Sequence, residues 1–234
     1  MEVNYQNIKV IGFDADDTLW VNETYFREAE LEFGKLLSEY ETLNTIDQEL
    51  FKKEMDNLPM YGYGVKAFVL SMVESALEQS NYSISTKSIE AILNIGKDML
   101  NKPVELLDGV EDVLKVLSQK YRIILATKGD LLDQERKLEK SGLTKYFHHI
   151  EVLSDKKEAN YSKLLNHLDI KPSEFLMIGN SLKSDVLPLV NIKAHAIHVP
   201  FHTTWVHEQV TEQETNGKNY KTINSLRDLL KILE

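Results

Sequence analysis

The residues best suited to chemistry lie in one short stretch, Lys9 to Leu19, which reads Lys-Val-Ile-Gly-Phe-Asp-Ala-Asp-Asp-Thr-Leu. Val10 to Phe13 form an apolar run that reads as a short buried strand. It empties into Asp14, Asp16, Asp17 and Thr18. Like charges are costly to bury together unless a cation or a proton offsets them. The cluster is therefore expected at the open carboxyl end of a sheet, where open α/β folds bind ligands. Three later stretches also follow runs that read as strands: Thr127-Lys128-Gly129, Ser154-Asp155-Lys156-Lys157, and Gly179-Asn180-Ser181 with Asp185 just beyond. Taken singly, such pieces are turns, caps or solvated pairs. In a parallel sheet the strand ends share one edge, so the four stretches, taken in order, can converge on one site.

The elements that must position them follow from periodicity. From Asn22 to about Leu100 the pattern is helical. Phe26, Ala29, Phe33, Leu36 and Leu37 recur at helical spacing between charged residues. Asp47 is expected to cap a second helix ending near Met55, Pro59 with Gly62 and Gly64 to form a loop, and Val65 to Leu77 a third helix. Ser85 or Thr86 is expected to cap a fourth. The remainder alternates: helix Val110 to Ser118, strand Arg122 to Ala126, helix Leu131 to Lys140, strand Ile150 to Leu153, helix Ala159 to Leu168, strand Phe175 to Ile178 and strand Ala194 to Val199. A last helix, Leu226 to Leu233, is expected behind Asn224 or Ser225. Strands alternating with helices imply right-handed crossovers and a doubly wound, mainly parallel α/β sheet. The helical block is an insertion after the first strand. The domains are thus 1–20 with 102–234 for the core, and 21–101 for an α-helical cap.

Composition narrows the function classes. The 234 residues carry a formal net charge of -10, which argues against a nucleic-acid partner, since those binders show a basic field. A local cation can still reverse the field at one small site. There is no cysteine, hence no disulfide, thiolate zinc site or cysteine nucleophile. No basic flank precedes an apolar signal core, and no apolar run reaches about 18 residues, so neither export nor a membrane span is indicated. A cytoplasmic protein is expected, and nothing in the sequence fixes an oligomeric state.

The ordered set of four motifs, with a helical insertion after the first, resembles the haloacid dehalogenase superfamily of phosphohydrolases over nearly the whole chain. Asp-x-Asp-x-Thr at Asp14, Asp16 and Thr18 is the most specific part. The resemblance implies a magnesium-dependent phosphatase acting on a small phosphorylated metabolite. Asp14 is then the nucleophile that forms an aspartyl-phosphate, and Asp16 the general acid/base. Thr127 holds a phosphoryl oxygen, with Lys128 beside it, and Lys156 neutralises charge. Asp14, Asp16 through its backbone, and Asp185 bind the ion, and Asn180 falls at the family's second acidic or amide position. Elementary chemistry agrees with these roles. A phosphoryl group repels an attacking carboxylate unless cations offset the charge, and magnesium prefers hard oxygen ligands. A covalent intermediate splits one hard step into two easier ones.

The chain departs from the family pattern in three places: Asp17 replaces a glycine common before the motif threonine, Lys156 is followed by Lys157 and not proline, and Asn180 admits several roles. Lys156 is preferred over Lys157 because it lies five residues before Tyr161, a spacing that the resemblance implies. Specificity is expected from the cap, with Tyr61 and Tyr63 offering ring faces and hydroxyls between glycines, and from His202, Thr203, Thr204 and Trp205, which either rim the site or cover the sheet edge. His195 and His198 read as structural. Among rivals, hydrolytic dehalogenases need neither the second acid nor a metal. A phosphonate hydrolase needs a cap lysine such as Lys66, a phosphomutase a retaining cap, and a phosphoacceptor domain an acceptor on a later strand. A non-catalytic, anion-binding relative is the remaining alternative.

Overall fold

The computed structural model describes residues 5–233. Six parallel strands form one sheet in the order β3-β2-β1-β4-β5-β6. They are β1 (Val10–Phe13), β2 (Arg122–Lys128), β3 (His149–Leu153), β4 (Phe175–Gly179), β5 (His195–His198) and β6 (Lys221–Thr222). This is the doubly wound order, in which the chain reverses direction across the sheet beside β1. Register follows from the pairings Val10 with Arg122 and with Phe175, so the first strand lies at the centre. Its four residues are fully buried, as expected for a strand covered on both faces.

The period-two alternation of β1 divides two cores. Ile11 and Phe13 face one layer with Leu125, Ile178, Leu114 and Leu229. Val10 faces the other, with Ile124, Phe175, Tyr161 and Val186. Helices α5 (Val110–Leu117), α6 (Leu131–Lys140) and α10 (Asp228–Ile232) supply the first layer. Helices α7 (Glu158–His167) and α8 (Leu187–Asn191) supply the second. Between β4 and α8 runs a π-turn, Leu182–Val186, and a short α9 (Glu212–Thr215) lies in the long connection before β6.

The chain divides into two compact units: residues 5–23, 104–128 and 134–233 form the sheet unit, and 24–103 with 129–133 the helical unit. The helical unit contains α1 (Glu23–Leu37), α2 (Leu43–Tyr61), α3 (Val65–Gln79) and α4 (Thr86–Asn101). Its own core gathers Phe33, Leu37, Ile46, Leu50, Met72 and Ile92. Two readings of this unit need correction. The second helix begins at Leu43 behind Thr42, whose side chain accepts from Thr45 N, so Asp47 lies inside it. It also runs through Pro59 to Tyr61, closed where Gly62 N donates to Leu58 O, so Pro59 marks no loop. A proline in the final turn sacrifices one ladder bond near an end where bonds are already incomplete. The last helix is shorter than expected, Asp228–Ile232, although Ser225 Oγ still accepts from Arg227 N just before it. Among the described residues, no helix is long and apolar enough to cross a membrane.

Candidate active site

At the carboxyl ends of β1, β2 and β4 the sheet unit opens into a cavity of about 130 Å³. Asp14 leaves β1 with its N–H still donating to Ile178 O of β4, at 2.8 Å. The chain then turns back on itself, with Leu19 N donating to Ala15 O and Asp17 N to Trp20 O. Ala15 is buried in the core while Asp14 and Asp16 line the cavity, so the alternation Asp-Ala-Asp puts both carboxylates on one side.

Lys156 joins the first motif to the last. Its Nζ donates to Asp14 Oδ1 at 2.5 Å and to Asp185 Oδ1 at 2.6 Å, and its side chain is only 1% exposed. Burial alone would lower the Lys156 pKa, but Asp14 and Asp185 hold the ammonium well above its usual value. Lys157 lies on the surface, 75% exposed and paired with Asp155. The second Asp14 oxygen accepts from Thr18 Oγ1 at 3.0 Å, and Thr18 Oγ1 in turn accepts from Asn180 N. Asp185 sits in the π-turn, where Oδ2 accepts from Ser181 N at 3.0 Å. π-Turns of this kind are frequent at functional sites. Gly179 makes the arrangement possible, since a Cβ there would overlap the Asp185 carboxylate.

Thr127 is buried at the end of β2 and lines the cavity beside Lys128. Lys128 Nζ donates to Glu208 Oε1 at 2.5 Å and to Ser184 Oγ at 2.9 Å. Glu208 also accepts from Ser181 Oγ and Ser184 Oγ. Its burial would raise its pKa, yet Lys128 and these hydroxyls bring the carboxyl down to about 2. Sequence reading missed Glu208, because its segment between β5 and β6 carries no periodicity. The segment also brings Thr203, Thr204 and Trp205 to the cavity wall, and of the two roles left open for these three the rim is the observed one.

Asp17 has a structural part. It sits at φ 60°, the left-handed region usually reserved for glycine, asparagine and aspartate. Its carboxylate accepts from Asn22 N and Glu23 N at 2.8–3.1 Å, capping the entry to α1. Burial pushes it up to about 8 despite these bonds. Tyr61 and Tyr63 belong to the helical unit, where the Tyr61 hydroxyl donates to Glu74 at 2.7 Å. Lys66, of the same unit, pairs with Asp130 at 2.8 Å. His198 Nε2 donates to Asn180 O at 3.0 Å beneath the site, and His195 packs edge-on against Tyr5.

The cavity is short of positive charge. Six carboxyl groups line it (Asp14, Asp16, Asp17, Glu23, Asp185 and Glu208) against two ammonium groups, Lys128 and Lys156. Burial pushes Asp14 up to about 7 even against the pull of Lys156, with Asp185 adding to the rise. Among the described residues no three His, Cys, Asp or Glu side chains come together as a metal site. The oxygen donors that do meet here are the carboxylates of Asp14 and Asp185 with the Asn180 amide alongside, a set that suits a hard cation and needs water to complete it. Excess carboxylate and hard oxygen donors together fit magnesium.

The chain is similar to known proteins over most of its length. The family model for haloacid dehalogenase-like hydrolases matches residues 8–192. A haloacid dehalogenase-like family hydrolase from Xanthomonas campestris is 36% identical with a TM-score of 0.86, over 97% of this chain and 91% of its own. A 2-haloacid dehalogenase from Pseudomonas syringae shares the fold at 18% identity and a TM-score of 0.63, over 97% and 98% of the two chains. The N-acylneuraminate-9-phosphatase of Mus musculus is 24% identical over 212 residues, 86% of this chain and 83% of its own.

Proposed function

Because the chain belongs to the haloacid dehalogenase-like hydrolase family, we propose that it is a magnesium-dependent phosphatase of small phosphorylated metabolites. The observation that carries this reading is the Lys156 ammonium held between Asp14 and Asp185 in a cavity with surplus carboxylate. Asp14 is the nucleophile. Lys156 keeps the Asp14 carboxylate directed into the cavity and offsets the charge of the incoming phosphoryl group. Thr127 and Lys128 bind phosphoryl oxygens at the end of β2. Magnesium, held by Asp14, Asp185, Asn180 and the Asp16 carbonyl, would supply the remaining charge neutralisation when bound. Asp14 attack gives an aspartyl-phosphate. Asp16 gives a proton to the leaving oxygen and then takes one from the water that releases phosphate.

A dehalogenase is the rival within the family, and the fold it shares with this chain does not choose between them. A departing halide needs no proton, so the acid half of the work given to Asp16 has no part in it, and a halide displacement has no use for a metal held at Asp185. The likeness to a sugar-acid phosphatase points the same way, towards phosphate monoesters. The test is hydrolysis of para-nitrophenyl phosphate, stopped by a chelator and restored by magnesium, with parallel assays for phosphate from phosphoesters and halide from haloacids. Halide release, or chelator-resistant turnover, overturns the reading. A screen of phosphorylated sugars, sugar acids and polyols then identifies the substrate.

A further inference from the structure

Asp16 stands at the cavity wall with its carboxylate held from three sides. Its Oδ1 accepts from Trp20 Nε1 at 2.8 Å and from Lys137 Nζ at 3.0 Å, and its Oδ2 accepts from Gln134 Nε2 at 2.8 Å. A carboxylate offers about four lone-pair positions, two on each oxygen. Both positions on Oδ1 are taken and one on Oδ2, which leaves a single open position, on Oδ2.

Two of the three donors come from one face of α6, since Gln134 and Lys137 are three residues apart and so lie side by side. Each is itself fixed. Lys137 Nζ also donates to Asn22 Oδ1 at 2.8 Å, and Gln134 Nε2 to Lys128 O at 3.1 Å. Gln134 is 2% exposed, and its Oε1 has no hydrogen-bond partner among the described residues. An unpaired buried acceptor is unfavourable. The amide nevertheless keeps this orientation, which is the one that gives its N–H groups to Asp16 and to the end of β2.

We infer that Gln134 and Lys137 are positioning residues for Asp16, fixing its carboxylate so that only Oδ2 is free to carry the proton. The inference rests on the acid–base role proposed for Asp16 and adds the atom and the groups that hold it. In the first step the bond from Asp14 to phosphorus forms as the bond to the leaving oxygen breaks. That oxygen keeps the electron pair and takes the proton from Asp16 Oδ2. In the second step Oδ2 takes a proton from the attacking water, the water oxygen bonds to phosphorus as the bond from Asp14 to phosphorus breaks, and phosphate departs, leaving Asp14 as the carboxylate and Asp16 protonated.

Leaving-group dependence separates positioning of an acid from general damage. Nitrophenolate departs readily without a proton, whereas phenolate needs one. With kcat/KM as the readout, which runs only through departure of the leaving group, Asp16→Asn is expected to lose about 100-fold more on phenyl phosphate than on para-nitrophenyl phosphate. Lys137→Met and Gln134→Leu should each show the same selective loss, about 10-fold, and Lys137→Arg, which keeps the donors, should restore it to within about 3-fold of the parent. Lys137 is 20% exposed at its side chain, so its replacement leaves the core intact should the Gln134 variant fold poorly. If Asp16→Asn is selective but Lys137→Met loses equally on both esters, the positioning inference is overturned while the acid–base role stands. If Asp16→Asn is itself unselective, the acid–base role fails and the inference falls with it.

Discussion

Glu208→Gln should remove a pH-dependent part of the stability of the sheet unit. The Glu208 side chain is 12% exposed, its Oε1 accepts from Lys128 Nζ at 2.5 Å, and Ser181 and Ser184 donate to the same carboxylate. Burial opposes the charge, but Lys128 and the two hydroxyls bring the carboxyl from its ordinary 4.5 to about 2. A gap of about two and a half pH units, at ~1.4 kcal/mol each, gives about 3 kcal/mol. Because the folded value is the lower one, this stability is present in full above the unfolded value and is lost as the pH falls towards the folded one. Glutamine keeps the shape but carries no charge, so the ion pair between Glu208 and Lys128 is lost with it. In urea unfolding the parent should exceed the variant by at least about 3 kcal/mol near pH 7, and the Glu208 part of that gap should fall to about half near pH 3. A gap of the same size at both pH values would show that the Glu208 charge contributes nothing, and would refute the reasoning.

Four further outcomes follow from the geometry. Asp17→Ala places a β-carbon residue at φ 60° and removes the acceptor of Asn22 N and Glu23 N, so it should cost about 3 kcal/mol in chemical denaturation. Asp17→Asn tolerates that backbone, keeps an acceptor and carries no charge to bury, so it should stay within about 1 kcal/mol of the parent. Gly179→Ala pushes a methyl into the Asp185 carboxylate, so the magnesium needed for half-maximal turnover should rise about 10-fold in a metal titration. Lys156→Met leaves Asp14 and Asp185 facing each other without their shared cation, and turnover of an aryl phosphate should fall about 10²–10³-fold.

The sheet was legible because its strands are short apolar runs, each closed by polar residues, and β1 to β5 lie within two residues of where the pattern places them. The start of α2 was not, because Thr42, Asn44, Thr45 and Asp47 are all capping residues and local pattern cannot rank them. Pro59 misled for a related reason. The rule against proline in helices weakens in a last turn, and only the packing tells how far the helix extends. Asp14, Asp16, Lys156 and Asp185 could be singled out because each stands at a strand end. Glu208, Gln134 and Lys137 could not. The last two read as the polar face of a helix, and Glu208 lies in a segment without period. Their meaning comes from partners 24 to 121 residues away along the chain, at Ser184 and Asp16.

The proposed reaction turns on covalent chemistry at Asp14. The direct measurement is mass spectrometry of the peptide containing Lys9 to Leu19 after acid quench during turnover of a phosphate ester with magnesium. Phosphate should be attached at Asp14 in the parent and absent in Asp14→Asn, which should fold normally and show no turnover. Undiminished hydrolysis by Asp14→Asn, or phosphate trapped at another residue, would contradict the account.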